Sequence, residues 1–318
     1  MLWRLLDYLD GLYPQILAKP EFRGKKLICR IVLSLIYRIN NLLCWYYHTI
    51  DKNRMPSPEE CDYVVSLTTY PARIGNLWRV IEMLFHQKGI KEKYAVCLYL
   101  IEEEFNGIPL PKKIVELQER GLVIKFEKEN LRCHNKYFYA FQEFPDKCVI
   151  TVDDDLQYNH RTVSALVEVH KGFPKCIVFN RGNIIVPQQS FNKFGSWKPY
   201  TTPREPRFDV CPAGVGGVLY PAHSYSMRIF DAQTIRETCL SADDMWLNFM
   251  CRLQGTKVVC TGLKTTYMVL PDTSQANALY LTNVTEGESG NDKQIKNISE
   301  WAKRELECDF YVNLKDNA

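Results

Sequence analysis

From Tyr63 onward, apolar residues follow two alternating patterns, short aliphatic runs and longer amphipathic stretches. The short runs predict buried strands and the longer stretches predict helices. Strands are predicted at residues 64–67, 95–100, 123–126, 148–152 and 177–179, and helices at about 71–84, 111–120, 135–143 and 161–171. Strands separated by helices indicate an α/β fold, with a mostly parallel sheet flanked by helices.

The first 55 residues have a basic, helical pattern of their own. Between residues 27 and 47, four polar residues recur at helical spacing on one narrow stripe, and the other faces are apolar: Arg30, Ser34, Arg38 and Asn41. Such a helix can lie in a membrane interface, where Arg23, Lys25 and Lys26 just before it would suit anionic lipids. Because a helix packed on a domain or a second subunit has the same pattern, both interpretations stay open.

These patterns divide the chain into three predicted parts. Residues 1–58 form an N-terminal helical extension, residues 59–285 form the α/β domain, and residues 286–318 form a C-terminal helical tail. Within the domain, residues 187–212 are polar and rich in proline and aromatic residues, which predicts a long loop that is either functional or disordered. We expect that loop to shape the specificity of any site beside it.

Composition and charge limit the cellular compartments and the binding partners that we expect for this protein. The chain has 318 residues, of which 46% are hydrophobic and 24% are charged, and a net charge of +3 is too balanced to favour nucleic acid as a partner. The twelve cysteines show neither CxxC pairs nor zinc-ligand spacing, and many lie in apolar runs. Arg4, Asp7 and Asp10 interrupt what would be the apolar core of a secretory signal. We therefore expect a cytoplasmic protein, with peripheral contact to the inner face of the membrane through residues 1–55 as one option.

The run at residues 148–152 ends abruptly in three carboxylates, the acidic triplet Asp153, Asp154 and Asp155. Carboxylates after a buried strand lie where open α/β sheets bind their ligands. Because adjacent acids repel one another, a fold that gathers them neutralises them with a metal ion, a basic partner or bound protons. The triplet therefore predicts a divalent cation site, and a solvated acidic turn is the alternative.

A second pair of acids, Asp243 and Asp244, opens a predicted helix that continues to about Leu253. Acids in a first helical turn are stabilised by the helix dipole, so one of them can serve as a helix cap. A positioned carboxylate can also act as a general base. We call these two residues the acid pair, and both roles can hold together.

Four segments in this order make the chain resemble a GT-A (Rossmann-like) glycosyltransferase, close to the bacterial family 2 type that builds surface polysaccharides. They are residues 64–73, the acidic triplet, the glycine segment 214–221 and residues 242–247, within a likeness that covers about residues 62–285. The resemblance implies metal-dependent transfer of a sugar from a nucleotide-sugar donor, with a UDP-sugar favoured. The acceptor would be a glycan or a lipid-linked molecule, and the transfer would invert the configuration at the anomeric carbon.

The resemblance also assigns residue roles. Asp155, with Asp153, would bind Mn²⁺ or Mg²⁺, ions that prefer hard oxygen ligands. Asp244 and Asp243 would be catalytic, with Asp244 as the base, although this chain has Asp243 where the family commonly has Glu. Residues assigned to donor binding are Thr68, Tyr70, Arg73, Lys136, Asp153, Asp154, Gly216 and Gly217. For Lys136 a solvated helix lysine is the alternative, and for the two glycines it is a tight bulge.

Other functions share some of these features. A sugar nucleotidyltransferase would be expected to have a Gly-rich basic loop after its first strand, and residues 68–73 contain no glycine. A phosphatase with an aspartyl nucleophile would have Thr or Val where this chain has Gln157. A carbohydrate-binding protein without catalysis is the third alternative, which the presence of both acid motifs disfavours. Trp197, Tyr200 and Trp246 could stack on sugar rings or belong to the core.

Overall fold

A sheet of seven strands forms the centre of the molecule. The computed structural model describes residues 2–187, 197–265, 268–270 and 290–314. The strands in chain order are β1 (Tyr63–Thr68), β2 (Tyr94–Ile101), β3 (Leu122–Glu127), β4 (Cys148–Thr151), β5 (Leu156–Gln157), β6 (Ile177–Phe179), β7 (Gly182–Ile184), β8 (Pro199–Tyr200), β9 (Val210–Pro212), β10 (Val218–Tyr220), β11 (Val258–Cys260) and β12 (Met268–Val269).

Helices cover both faces of this sheet. In chain order they are α1 (Leu2–Ala18), α2 (Lys25–Thr49), α3 (Pro71–Phe85), α4 (Glu102–Phe105), α5 (Lys112–Gln118), α6 (Asn135–Glu143), α7 (Thr162–Gly172), α8 (Ala232–Thr238), α9 (Asp243–Leu253) and α10 (Gly290–Leu306). The predicted α/β class, with an N-terminal helical region, is therefore confirmed.

The strand order places a switch point beside the central strand. The large sheet runs β11-β6-β10-β4-β1-β2-β3, with β1 parallel to both β2 and β4. After β1 the chain moves outward through β2 to β3 and then returns to form β4 on the other side of β1. A crevice is therefore expected at the carboxyl ends of β1 and β4. Sheets of this type bind their ligands in such a crevice.

Both faces of the sheet are buried, which explains the continuous apolar runs in the sequence. On β1, Val65 and Leu67 point into one core and Val64 points into the other, and all three are fully buried. The first core includes α3, α5, α7 and the two N-terminal helices. The second includes α6, α9 and α10.

Short strands are the elements that the sequence pattern did not predict. Within residues 187–212, β8 and β9 pair with β7 in a small antiparallel sheet, and residues 188–196 lie outside the described part. Strand β10 enters the large sheet antiparallel to β4 and β6. Strands of two or three residues are too short to show alternation, so their pairing depends on tertiary context.

The N-terminal extension packs on the domain through one face of α2. Val32, Ile36 and Leu43 on that face are buried in the same core as the sheet residue Val65. Of the helices in the described residues, α2 is long and apolar enough to cross a membrane, with a mean hydropathy of 1.6. The boundary at residue 58 stays a prediction, and the one at residue 285 lies outside the described residues.

Candidate active site

The acidic triplet lies at the crevice that the strand order creates. Strand β4 ends at Thr151, so the triplet follows it directly. Strand β1 ends at Thr68, and the turn that follows leads into α3 at Pro71. The triplet and this turn therefore come from neighbouring strands and meet at one edge of the sheet.

The middle acid of the triplet is held by one side chain of that turn and one of the first turn of α3. Arg73 Nη1 donates to Asp154 Oδ1 at 2.8 Å, and Thr69 Oγ1 donates to Asp154 Oδ2 at 2.6 Å. Arg73 Nη1 also lies 3.1 Å from Asp155 Oδ2. Burial raises the pKa of Asp154, while the charge of Arg73 and the bond from Thr69 oppose that rise. Asp154 is therefore an internal anchor between the turn and the triplet, and sequence reasoning missed Thr69.

Lys136 joins the acidic triplet to the acid pair. It lies in the first turn of α6, and its Nζ is 2.6 Å from Asp153 Oδ1 and 2.9 Å from Asp243 Oδ2. Its side chain is only 5% exposed. A buried ammonium between two carboxylates is stabilised by both, so the alternative of a solvated helix lysine is wrong.

The second acid of the pair faces a glycine turn. Asp244 lies in the first turn of α9, and its Oδ1 accepts a hydrogen bond from the Gly214 N–H at 2.9 Å. A Cβ on Gly214 would lie 3.0 Å from that oxygen and 3.3 Å from Lys136 Nζ. Only a residue without a side chain leaves this contact undisturbed. Gly214 is thus a site residue that the sequence analysis included in a segment without assigning it a role.

The charges of this cluster separate the two acids of the pair. Burial disfavours the charged form of Lys136, but Asp153, Asp243 and Asp244 outweigh it and raise the lysine pKa well above its usual value. Burial likewise opposes ionisation of Asp243, yet Lys136 lowers the net pKa of that carboxyl. For Asp244, burial and the charge of Asp243 raise the pKa well above that of an ordinary aspartate. Asp243 is therefore the ionised partner of Lys136, and Asp244 is the acid that holds a proton more readily.

Thr68, Tyr70 and Gly216 are also assigned to donor binding, and each makes a different contact. Thr68 Oγ1 donates to the Tyr99 carbonyl at 2.8 Å, and Tyr70 lies with its ring centroid 5.4 Å from the Arg73 guanidinium carbon. The Gly216 carbonyl accepts a bond from Asn180 Nδ2 at 2.9 Å.

Gly217 has a φ of +80°, in the left-handed region, and a Cβ there would meet Thr162 and Leu166 of α7. At Gly217 the structure thus has the tight turn that the sequence analysis named as the alternative. The glycine that faces the carboxylates of Asp244 and Asp153 is Gly214.

Aromatic residues near the site belong to the core. Trp246 is fully buried and its Nε1 donates to the Ile229 carbonyl at 3.2 Å. Trp197 and Tyr200 are also buried. Sequence reasoning missed Tyr158, whose hydroxyl oxygen accepts a bond from the Asp153 N–H at 2.7 Å and so fixes the start of the triplet. A tyrosine five residues after an acid carries no recognisable spacing signal.

Two carboxylates of the cluster are open enough to bind a cation. The side chains of Asp153 and Asp155 are 29% and 22% exposed, against 8% for Asp154 and 11% for Asp243. In the described residues, no three His, Cys, Asp or Glu side chains converge on one point. Mg²⁺ is commonly held by one or two carboxylates together with substrate phosphates. The open pair Asp153 and Asp155 would fit that pattern if substrate phosphates supplied the remaining ligands.

Comparison with known proteins gives similarity to solved structures only. No model of a known protein family matches the chain, and no curated protein matches it in sequence. S. aureus TarS 1–349 in complex with UDP-GlcNAc is 12% identical with a TM-score of 0.48, over 80% of this chain and 69% of that one. Mannosyltransferase PcManGT from Pyrobaculum calidifontis, in complex with GDP-Man and Mn²⁺, is 15% identical with a TM-score of 0.31, over 57% and 47%.

A third similar structure is the 4-diphosphocytidyl-2C-methyl-D-erythritol synthase of Anaerococcus prevotii, which is 12% identical. Its TM-score is 0.36, over 66% of this chain and 92% of that one. A mannosyltransferase is among the solved structures similar to this chain. Identities this low do not carry the ligands of those proteins over to this chain.

Proposed function

We propose that the protein is a metal-dependent glycosyltransferase that moves a sugar from a nucleotide-sugar donor to a glycan or lipid-linked acceptor. The observation that carries the proposal is the meeting of the acidic triplet and the acid pair on Lys136, at 2.6 and 2.9 Å. One acid set can anchor a diphosphate through a cation while the other handles a proton, and glycosyl transfer needs both. We favour a UDP-sugar as the donor, inversion at the anomeric carbon, and a role in surface polysaccharide synthesis.

The triplet side of the site is suited to the leaving group. Asp155 and Asp153 would hold Mn²⁺ or Mg²⁺, which supplies positive charge to the diphosphate. The positive charges of Arg73 and Lys136 offset the repulsion between the carboxylates. The Tyr158 hydroxyl holds Asp153 in place by accepting a hydrogen bond from its backbone N–H. Thr68, at the end of β1, and Tyr70, in the turn after it, would contact the nucleoside.

The acid-pair side is suited to the acceptor. An attacking hydroxyl must lose its proton, and a base works best when its pKa lies near the working pH. Burial and Asp243 raise the pKa of Asp244 above that of an ordinary aspartate, which makes it a stronger base, and it keeps partial exposure to solvent. Asp243 remains paired with Lys136 and positions α9. We therefore propose Asp244 as the base and Asp243 as the residue that tunes it.

No specific observation favours a sugar nucleotidyltransferase or a carbohydrate-binding protein without catalysis. Thr69 of the turn after β1 and Arg73 of α3 anchor Asp154, and residues 68–73 contain no glycine. We further propose that the protein acts in the cytoplasm, peripheral to the inner face of the membrane. All twelve cysteines are free and most are buried, which suits a reducing compartment.

The test separates donor binding from transfer. Thermal unfolding is measured with a panel of nucleotide sugars, with and without Mn²⁺; a true donor at 100 times its Kd stabilises by about 2.7 kcal/mol. Asp155→Ala is expected to remove the Mn²⁺-dependent part of that stabilisation. Asp244→Asn should keep donor binding and reduce transfer by roughly 10²- to 10⁴-fold. Asp146→Asn is the control and should change neither, because Asp146 is exposed and lies before the start of β4, whereas the triplet follows the end of that strand.

Two results would contradict the proposal. If no nucleotide sugar raises the melting temperature of the wild-type protein, the donor site is misassigned. If Asp244→Asn transfers sugar at the wild-type rate, Asp244 is not the base.

A further inference from the structure

Exposed apolar side chains are concentrated in the N-terminal extension. Of the seventeen large hydrophobic side chains exposed in the described residues, thirteen lie within residues 2–50, and the other four are Ile108, Val115, Phe126 and Met227. The thirteen are Leu2, Leu5, Tyr8, Leu17, Phe22, Leu27, Ile28, Ile31, Leu35, Leu42, Trp45, Tyr46 and Ile50. Scattered exposed apolar residues are normal, but a contiguous set of this size marks an interaction surface.

On α2 these side chains form a defined arc. At 100° per residue, Leu27, Ile31, Leu35, Leu42 and Trp45 fall within one quarter of the helix circumference. All of them are between 44% and 62% exposed. The buried side chains of α2 occupy the opposite side, where they pack on the domain core. We call the exposed arc, together with the exposed apolar residues of α1, the apolar face.

The charges around the apolar face are almost all positive. Exposed cationic side chains in residues 2–50 are Arg4, Lys19, Arg23, Lys26, Arg30 and Arg38. Helix α2 contains no acid, and Glu21 is the one exposed acid in these residues. On α1, Asp10 is buried and accepts a bond from Asn159 Nδ2 at 2.7 Å, so its charge is directed toward the domain. Cations beside apolar residues complement an anionic lipid surface.

The packing of α2 determines how the helix can meet a bilayer. Near its C-terminal end, Tyr47 OH lies 3.0 Å from His160 Nε2 and His48 Nδ1 lies 2.8 Å from Glu82 Oε1. A helix that crossed the membrane would have to give up these buried contacts and expose the core that they cover. A helix lying in the interface keeps them and still buries the apolar face.

We propose that the apolar face is a docking surface for the interfacial layer of an anionic bilayer, on which α2 lies without crossing. A second copy of the chain is less suited to this face, because a symmetric pairing would bring the same six cations together. Docking of this kind does not depend on the proposed transferase activity, so each can fail without the other.

The experiment uses the full chain and vesicles of phosphatidylcholine, alone or with phosphatidylglycerol. We expect flotation with the anionic vesicles, weakened by salt, and a blue shift of the fluorescence of Trp45, which is 54% exposed. The blue shift should be absent in Trp45→Phe. Replacing Arg23, Lys26 and Arg30 by Gln should weaken binding by about fivefold for each cation removed.

The apolar contribution is tested with two matched triple variants. Ile31→Gln, Leu35→Gln and Leu42→Gln together should abolish flotation. The control triple, Ile108→Gln, Val115→Gln and Met227→Gln, removes side chains elsewhere that are 40–72% exposed, against 44–51% for the α2 triple, and should float like the wild type. Circular dichroism shows whether both triples are folded.

Three outcomes would overturn the proposal. The first is a wild-type protein that stays in solution with both kinds of vesicle. The second is a dimer in solution that the α2 triple variant converts to monomer. The third is vesicle-bound protein that resists extraction by carbonate at high pH, which would mean that α2 crosses the bilayer.

Discussion

Lys136 connects the two acid sets of the site. Its ammonium lies within 3 Å of one carboxylate from each set, although the residues come from α6, the end of β4 and the start of α9. A buried cation between acids stabilises their ionised forms. Burial raises the pKa of Asp244, and two opposing neighbours then adjust it: Asp243 raises it further and Lys136 lowers it.

The first prediction concerns the pH dependence of transfer. A base acts when deprotonated, so the transfer rate falls as the pH drops through the Asp244 pKa. Asp243→Asn removes a charge that raises this pKa, so the acidic limb of the kcat/KM profile should move to lower pH. Lys136→Met removes a charge that lowers it, and the limb should move to higher pH.

These profiles are compared by the position of the limb and not by its height, because both variants also lower the rate. Shifts in the same direction for both variants would mean that the limb does not report Asp244. Asp146→Asn is the control and should leave the limb where it is.

At the scale of elements, a buried polar cluster holds α2 to the domain. Glu82 on α3 is fully buried, and Arg120, which follows α5, contacts it through two bonds at 2.5 and 3.0 Å. His48 of α2 lies 2.8 Å from the same carboxylate and 2.9 Å from Glu116. The cluster thus joins three helical regions, so the apolar face of α2 keeps a fixed position relative to the sheet.

The second prediction tests this cluster. Glu82→Gln keeps the side-chain volume but leaves the buried guanidinium of Arg120 without its counter-charge, and removing one partner of a buried pair costs about 3–5 kcal/mol. The matched control is Glu60→Gln, which breaks an exposed pair with Lys93 at 3.4 Å. Exposed pairs contribute roughly 0–1 kcal/mol.

Urea unfolding followed by circular dichroism measures both changes in the free energy of unfolding. Equal losses in the two variants would show that the Glu82 cluster adds nothing beyond an exposed ion pair.

At the scale of the whole molecule, buried histidines contribute to the response to acid. His134 is fully buried, with its ring nitrogens 2.8 Å from Tyr137 OH and 2.9 Å from the Cys239 carbonyl. Burial lowers the pKa of His134 to about 4, and it lowers that of His160 to about 4 as well. An unfolded chain binds these protons near pH 6.5, so the stability that neutral histidine contributes is present above that pH and is lost as the pH falls toward 4.

The third prediction follows from this difference. Between pH 7.5 and 5, each of these two histidines should cost about 2 kcal/mol of stability. His160→Gln should therefore reduce the pH-dependent loss by about that amount, whatever its effect at pH 7.5. His223→Gln, at an exposed position, is the control.

Urea unfolding at the two pH values provides the measurement. An unchanged pH dependence in His160→Gln would mean that this histidine is already charged in the folded protein.

Much of the fold was predictable because its signals are local. The apolar runs at 64–67, 95–100 and 177–179 are continuous, since both faces of the sheet are buried, and each became a strand. The predicted helix at 135–143 was found at those residues. Strand β10 and the small sheet of β7, β8 and β9 were not predictable, because two or three residues carry no period.

The candidate site divides in the same way. The acidic triplet and the acid pair were visible as short runs of like charge after or before regular elements. Their neutralisation by Arg73 and Lys136, and the close approach of Gly214, arise only when segments far apart in the chain meet at the sheet edge. No spacing in the sequence records those contacts.

For the N-terminal helices, the sequence determined the periodicity and the tertiary structure determined the packing. The sequence alone established that α2 is amphipathic with a narrow polar stripe, because helical periodicity is a property of the backbone. It left membrane contact and internal packing equally open. The tertiary structure assigned one apolar side to the core and left the other exposed, because burial depends on which surfaces meet and the chain has no second surface to cover that face in its described part.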